Sequence, residues 1–575
     1  IVILIILATV TINAVFGENG LIRKAQQAKE MAEEATKNEE EAMEELLGYI
    51  GNYGISEEGY SEDNGVNEPK LAKGMIPVYY DSENKVWRRA DENNENKQWY
   101  NYEAKQWANI VTVSDENADL REAEVGTEIP MEDITTFFVW IPRYAYSITS
   151  GYKEGNGATG KIDVTFLKGN TNIGADNVEY KTDYDESSLQ VGDVTPKIVH
   201  PGFKSGSQEL TGIWVAKFEA SGINEDGEAA GNASATSSTP TNATGAYVRI
   251  LPSQISWRHV TVGESEYQSM RMAENTEKYG WGQNVNSHLI KNSEWGAVAY
   301  LCYSDYGVVP KTNGAGSYSN TLKISYDIYT GAGAKGINDE GRYENFTEET
   351  YGYNTELGIL ASTTGNEYGI YDMAGGSWER VAAYLDNGNP YLDEYGKSAS
   401  DSSVVYIENG KIKSEYANLW ETYEVSEEEK NNQIKVGDTT LTQDELWDWN
   451  KRGIEYNEAR YRLTEANFNN MPKGIGINET TTEFSYYAPY KTTGSSWSWY
   501  QTIKDTSTNT TSEYGRTWDS DYTLIGNVYI PFIARSGYFY NGSSAGVLNT
   551  SFTYGDAYSG HRVPSGPCVL ALRHI

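Results

Sequence analysis

The sequence predicts an α+β chain, with a long N-terminal helix followed by a β-rich body carrying large insertions. Three observations carry that prediction. Ile1–Phe16, IVILIILATVTINAVF, holds no charge, and an acidic, helix-favouring run, Leu21–Ile50, lies directly behind it. Past residue 74 the apolar residues come in short aromatic and β-branched runs between Asn- and Gly-rich turns, the pattern of strands and hairpins. The composition agrees, with 45 Tyr, 15 Trp and 56 Gly against 12 Phe. Tyrosine suits half-buried strands and wet contact surfaces better than deep apolar cores.

The chain has 575 residues and a formal net charge of −36. Such a surface repels phosphate backbones, so nucleic acid is excluded as a partner. The acidity fits a soluble surface facing outside a cell. Two cysteines, Cys302 and Cys568, admit one disulfide or stand as two buried thiols, and rule out a disulfide framework.

A segment like Ile1–Phe16 goes into a membrane, into copies of itself, or is cut off. A signal peptide would carry a basic start and a small-residue cleavage site, and both are missing. A simple bilayer span needs about 20 apolar residues, more than this run supplies. The continuation favours packing among identical helices. Leu21, Ala25, Ala28, Ala32, Ala35, Ala42, Leu46 and Ile50 recur at helical spacing, and the glutamates fall on the other faces. Gly17-Glu18-Asn19-Gly20 predicts a kink between the halves, or a turn joining two helices. The assembly positions are Ile1, Leu4, Ile5, Leu7, Val10, Ile12, Val15, Phe16, Leu21, Ala25 and Ala28.

The run TINAVFGENGLIRKAQQAKEMAEEA behind an apolar start resembles the type IV pilin-like proteins of Gram-positive bacteria. That resemblance covers Ile1 to about Ile50. It implies a helix cut by a prepilin peptidase, held in the membrane before assembly, and then packed as a homopolymer into a filament core. Pilins carry a Glu five residues into the mature chain where Ile5 stands here, so a mature start upstream of Ile1 is expected.

After the helix (1–50), residues 51–74 read as a polar linker and 75–134 as a small β-rich region with hairpins. Trp87, Trp99 and Trp107 are its packing anchors. The main domain is 135–575, with a polar insertion at about 386–517. Thr135–Thr149 is the strongest strand, and Gly212–Gly222 its partner. Residues 223–247 are a low-complexity loop in which Asn232 and Asn242 match the N-x-S/T pattern by chance of composition. Trp257–Tyr279 reads as a helix and Ser293–Cys302 as a second, with Ser293 the N-cap.

The pieces FVWIPRY, GIWVAKFEASG, KNSEWGAVAYL, GIYDMAGGSWERV and a closing RSGYF…GHRV occur in that order. Together they resemble the C-type-lectin-like fold shared by formylglycine-generating enzymes and the variable proteins of diversity-generating retroelements. In Tyr368–Val381 the family's residues are matched by Gly369, Tyr371, Asp372, Met373, Gly375, Trp378 and Glu379. Gly376 stands where Asn is usual and Arg380 where Trp is usual. The resemblance implies structural roles for Trp378 and Glu379.

It also implies a test of the enzyme reading, since those oxidases hold copper with paired thiolates. The corresponding stretch, Arg535–Asn541, has no cysteine before Cys568, so no enzyme is expected. The five histidines show no metal-ligand spacing, and calcium has no EF-hand pattern behind it, so no cofactor is expected.

Tyr538–Gly560, YFYNGSSAGVLNTSFTYGDAYSG, intersperses aromatics with Ser, Gly and Asn, the composition of antibody binding loops. The retroelement resemblance makes the same stretch a diversified ligand-binding surface; a Tyr-rich structural turn region is the alternative. Tyr538, Tyr540, Asn541, Ser543, Asn549, Tyr554, Asp556 and Tyr558 are the exposed contact positions expected for an unknown surface ligand. The expectation is a structural subunit of an extracellular, cell-surface filament displaying a C-terminal domain for adhesion. The alternative is a membrane-anchored binding protein that never polymerises.

Overall fold

The computed structural model describes residues 55–155, 158, 160–223, 229–230, 247–257, 262–281, 285–308, 322, 325, 329–333, 347–386, 407–408, 411–412, 414–424, 435–436, 439–440, 471–481, 484–491, 497–504, 511–512, 515–518, 521–523, 532–537, 545–553 and 570–574. Residues 57–575 belong to one compact unit. The α+β expectation is corrected. The described residues are mostly β-sheet, and the longest helix among them is the 13-residue Val262–Glu274. The expected long helix falls on residues 1–50, so every assembly position from Ile1 to Ala28 lies outside the described residues. What shapes the body is its short aromatic and β-branched runs, each ended by a turn before a helix could propagate.

The elements that place the candidate site are, in chain order, β1 (Ile76–Asp81), β2 (Val86–Arg89), β3 (Asn109–Val113), β4 (Ile134–Pro142), β5 (Tyr144–Ser150), β6 (Lys161–Phe166), β7 (Gly212–Ala216) and α1 (Val262–Glu274). There follow β8 (Val285–Leu289), α2 (Asn292–Cys302), β9 (Glu379–Asp386), β10 (Glu421–Glu424), β11 (Gly515–Arg516), β12 (Tyr522–Thr523), β13 (Phe532–Arg535), β14 (Thr550–Thr553) and β15 (Leu570–His574). A seven-stranded sheet runs β8-β15-β7-β4-β3-β1-β2, and a six-stranded sheet runs β10-β9-β13-β14-β12-β11.

The central strand β4 reads ITTFFVWIP, nearly continuous apolar sequence, because both of its faces are covered. It pairs antiparallel with β3 on one side and with β7 on the other, Trp140 opposite Trp214. The partnership expected of Gly212–Gly222 is therefore formed by Gly212–Ala216. The single strand expected over Thr135–Thr149 is instead two. Arg143, fully buried, ends β4 by turning its guanidinium onto Thr171 O (3.0 Å), Asn172 Oδ1 (2.9 Å) and Glu209 Oε2 (2.6 Å). The chain then enters a separate three-stranded sheet as β5, flanked by β6 and Ile198–Val199. A buried cation needs these oxygens more than the strand needs to continue.

Residues 75–134 contribute β1, β2 and β3 to the same sheet as β4 and β7. Trp87, Trp99 and Trp107 are 1 %, 1 % and 0 % exposed, as packing anchors should be. Each indole N–H finds an acceptor, on Tyr353 Oη, Asn109 O and Tyr306 O.

Part of the stretch expected as a linker is built into the body. Tyr60–Ser61 pairs with Val66–Asn67, and Asn67 is fully buried. Its amide donates to Gly169 O and Thr211 O, both at 2.8 Å, and accepts from Gly169 N at 2.7 Å. Asn67→Ala strands all three backbone groups, so urea titration should show a loss of about 3 kcal/mol. A loss within about 0.5 kcal/mol, the range of an ordinary surface change, would mean that the segment is a linker after all.

Two helix expectations shift in detail. The Trp257–Tyr279 helix is realised as α1 and a short Thr276–Tyr279 turn. For α2 the N-cap is Lys291, whose backbone N–H donates to Glu294 Oε2 at 2.9 Å, in place of Ser293. Ser293 lies inside the helix, where its N–H donates to Glu421 Oε2 at 3.1 Å. Every residue of α2 is buried.

Candidate functional site

Among the described residues, two clusters of chemistry-bearing groups bear on the C-terminal stretch, one beneath the Tyr368–Val381 motif and one around Met471–Thr481. The first begins with Lys217, placed immediately after β7 in the apolar run GIWVAKF. Its Nζ is fully buried and donates to Asn109 Oδ1 (2.8 Å), Glu367 O (2.5 Å) and Gly369 O (2.9 Å). The rings of Trp87, Phe218 and Tyr371 lie 5.2, 5.8 and 5.5 Å away. Burial pulls this amine well below its ordinary pKa. Three oxygens and three ring faces act the other way, and an ammonium has one proton for each oxygen. Lys217 thereby fastens the start of the motif to the sheet.

The rest of the motif is fastened by carboxylates. Asp372, in the left-handed region at φ 64°, accepts from Gly331 N and Ser325 Oγ, both at 2.8 Å. Burial raises its carboxyl to about 6. Glu219 Oε1 accepts from Ser377 N at 2.7 Å. A Cβ on Gly376 would stand 2.5 Å from that same oxygen, with φ at +62°. That close approach and the left-handed φ explain why glycine occupies this position. Trp378 is 6 % exposed and Glu379 is fully buried.

The second place is made by the insertion. Residues 386–517 were expected as a polar excursion, yet Met471–Thr481 returns into the core. Glu479 is 1 % exposed, and its carboxylate accepts from Tyr146 Oη (3.0 Å), Tyr184 Oη (2.7 Å), Tyr300 Oη (2.8 Å) and Gly474 N (2.7 Å). Burial raises its pKa even so. His200 Nε2 lies 2.8 Å from Gly474 O, and burial holds its pKa down at about 3. Arg535 Nη2 donates to Ile475 O at 2.8 Å, and burial lowers its guanidinium to about 10. The segment enters so deeply because two glycines meet. A Cβ on Gly296 of α2 would sit 2.0 Å from Gly474 O, and Gly474 itself has φ +79°.

These two places hold the base of the C-terminal stretch. Past β13, Ser536 Oγ donates to Gly375 O at 2.7 Å and Asp372 O at 3.1 Å. On the return limb, Leu548 N donates to Asp521 Oδ2 at 2.9 Å, and Trp295 Nε1 to Val547 O at 2.9 Å. Of the expected contact positions, Tyr538, Tyr540, Asn541, Ser543, Tyr554, Asp556 and Tyr558 lie outside the described residues. Asn549 is fully buried, not the exposed contact position expected of it, because it belongs to the pinned return limb. Cys302 is buried at the end of α2, and Cys568 lies outside the described residues.

Glu479, His200, Lys217 and Arg535 were not singled out as functional from the sequence. One signal was readable: Lys473–Glu479, KGIGINE, is a glycine-spaced apolar run inside an otherwise polar insertion. A lone Lys in the apolar run of β7 was another. Among the described residues no group of three or more His, Cys, Asp or Glu could hold a metal ion, and no helix is long and apolar enough to cross a membrane. The buried charges described here spend their hydrogen bonds on backbone groups, phenols, a hydroxyl, side-chain amides and, for Arg143, a carboxylate, which is the chemistry of holding a shape. Comparison of the chain with protein-family models finds no match, and comparison with curated proteins finds none either.

Proposed function

We propose that this chain is a structural subunit of an extracellular filament of the type IV pilus kind. Its apolar N-terminal stretch passes through a membrane and then packs against copies of itself. Its β-rich body faces outward and meets a surface ligand through Tyr538–Gly560. The observation that carries the reading is the uncharged Ile1–Phe16 placed ahead of an acidic, alanine-striped run, a segment with no use in an isolated soluble body. The pinned limbs Ser536–Gly537 and Ala545–Asn549 support the display part, because adaptable contact residues work best on a rigid base.

Electron microscopy of sheared surface material, labelled with antibody to residues 57–575, is the test. Labelled fibres are expected, and Leu7→Arg should abolish them while the secreted body still folds. Single detergent-extracted molecules with no fibres would favour the second reading, a membrane-anchored binding protein.

A further inference from the structure

We propose that Met471–Thr481 is a strap that holds the neck of the C-terminal stretch closed, so that lifting the strap opens the neck while the rest of the body stays folded. The neck is where the two limbs of that stretch meet. A Cβ on Gly537 of the outgoing limb would stand 2.8 Å from Ala545 Cα and 2.9 Å from Asn549 Nδ2 of the return limb. Arg535 ends β13, Thr550 begins β14, and the two residues pair across the sheet.

The strap has two faces. One is turned to β5 and α2, where Glu479 takes the phenols of Tyr146, Tyr184 and Tyr300 and Gly474 O lies 2.8 Å from His200 Nε2. The other is turned to the neck. Left-handed glycines at 474 and 476 bracket Ile475, whose carbonyl accepts from Arg535 Nη2 at 2.8 Å. Leu548 of the return limb lies on Gly476, where a Cβ would stand 2.6 Å from Leu548 Cδ2.

Arg535 joins the strap to the neck. Its guanidinium is fully buried, and a pKa of about 10 leaves it a cation at neutral pH. Among the described residues its acceptors are Thr550 Oγ1 on the return limb and Ile475 O on the strap, with the Trp295 ring 5.9 Å away. A lifted strap takes one of these acceptors with it, and a buried cation so stripped must find another or reach water. Asp521 is close enough to act on its charge but accepts from Leu548 N at 2.9 Å. Turning to Asp521 frees Leu548, and turning to water gives up Thr550. Leu548 has by then also lost Gly476 beneath it. Ser536 keeps its bonds to Gly375 O and Asp372 O, and Trp295 Nε1 keeps Val547 O, so the opening runs from Leu548 onward.

The consequence rests on the reading of Tyr538–Gly560 as ligand-facing: a partner or protease that draws the insertion outward loosens that surface. The coupling itself needs neither ligand nor filament to be measured. Hydrogen exchange on the full chain tests it with Glu479→Ala, which strips the face of the strap away from the neck. Protection over 471–481 should fall, and protection over 548–551 should fall with it by about tenfold or more, the worth of one hydrogen bond to a charged group, while 134–142 in β4 holds. Asn67→Ala, a comparable loss on a remote edge, should leave the neck as protected relative to β4 as in the parent. With Arg535→Met the side chain asks for no acceptor, so adding Glu479→Ala should loosen the strap and leave the neck where Arg535→Met alone put it. A neck that stays protected when the strap opens overturns the proposal, as does a neck that follows the strap equally with and without Arg535. Should Glu479→Ala fail to fold, Lys473→Ala removes only the strap's outer bonds, to Asp183 Oδ1 at 2.6 Å, Tyr184 O at 2.8 Å and Glu186 Oε1 at 3.4 Å. Strap and neck must then loosen by one common factor, and any other result overturns the proposal.

Discussion

Lys217→Met should destabilise the body by about 4 kcal/mol, the largest effect expected of a substitution that keeps side-chain length and volume. Methionine fills the space among Trp87, Phe218 and Tyr371 and leaves no cavity to blame. What it removes is the donor for Asn109 Oδ1, Glu367 O and Gly369 O, which stand 2.8, 2.5 and 2.9 Å from Nζ. A buried acceptor left bare costs about 1–3 kcal/mol, and three on adjoining segments do not relax independently. The damage should be local as well as global. Glu367 and Gly369 begin the motif, so Tyr368–Val381 should lose hydrogen-exchange protection before β4 does. Thermal melts and exchange together check this. A variant with an unchanged melting temperature would show that the lysine is dispensable packing rather than the pin between motif and sheet.

Glu479→Ala should cost a similar amount, about 3–5 kcal/mol, by the reverse logic. Here the acceptor goes and the donors stay. Tyr146, Tyr184, Tyr300 and the Gly474 amide lose the carboxylate they share at 2.7–3.0 Å. The phenols are fixed by their elements, Tyr146 on β5 and Tyr300 on α2, so they cannot turn to water. The loss should appear in urea titration as a lower midpoint, with Met471–Thr481 becoming open to protease at Lys473. Glu479→Gln, which keeps the volume and one acceptor, should lie between parent and alanine at pH 7. If alanine and glutamine variants were equally stable, the hydrogen bonds would be carrying nothing beyond volume.

Much of the seven-stranded sheet is legible in the sequence. The run TTFFVWIP has too few polar residues for a half-exposed strand, and it lies at the centre of seven. GIWVA pairs with it, and the tryptophans of 75–134 anchor the core. Legibility stopped where a residue's partner is remote in sequence. Arg143 splits the expected Thr135–Thr149 strand because acceptors on Thr171, Asn172 and Glu209 wait for it. Asn67 turns part of an apparent linker into a fixed edge of the body through Gly169 and Thr211. Glu479 was one acidic residue among 82 acidic residues, and nothing local marks it as the one that three tyrosines surround.

By itself the sequence determined the local order of this protein: an uncharged start, an acidic run striped with alanine, and short aromatic runs cut by glycine and asparagine. Those are properties of neighbouring residues, and periodicity reports them directly. Only the tertiary structure decided that the polar insertion sends Met471–Thr481 home to the core, and that Lys217, Glu479 and Arg535 lie in the dry interior. The physical reason is that a buried charge is tolerable only where donors or acceptors converge on it. That convergence joins residues hundreds of positions apart, as Tyr146 and Glu479 are.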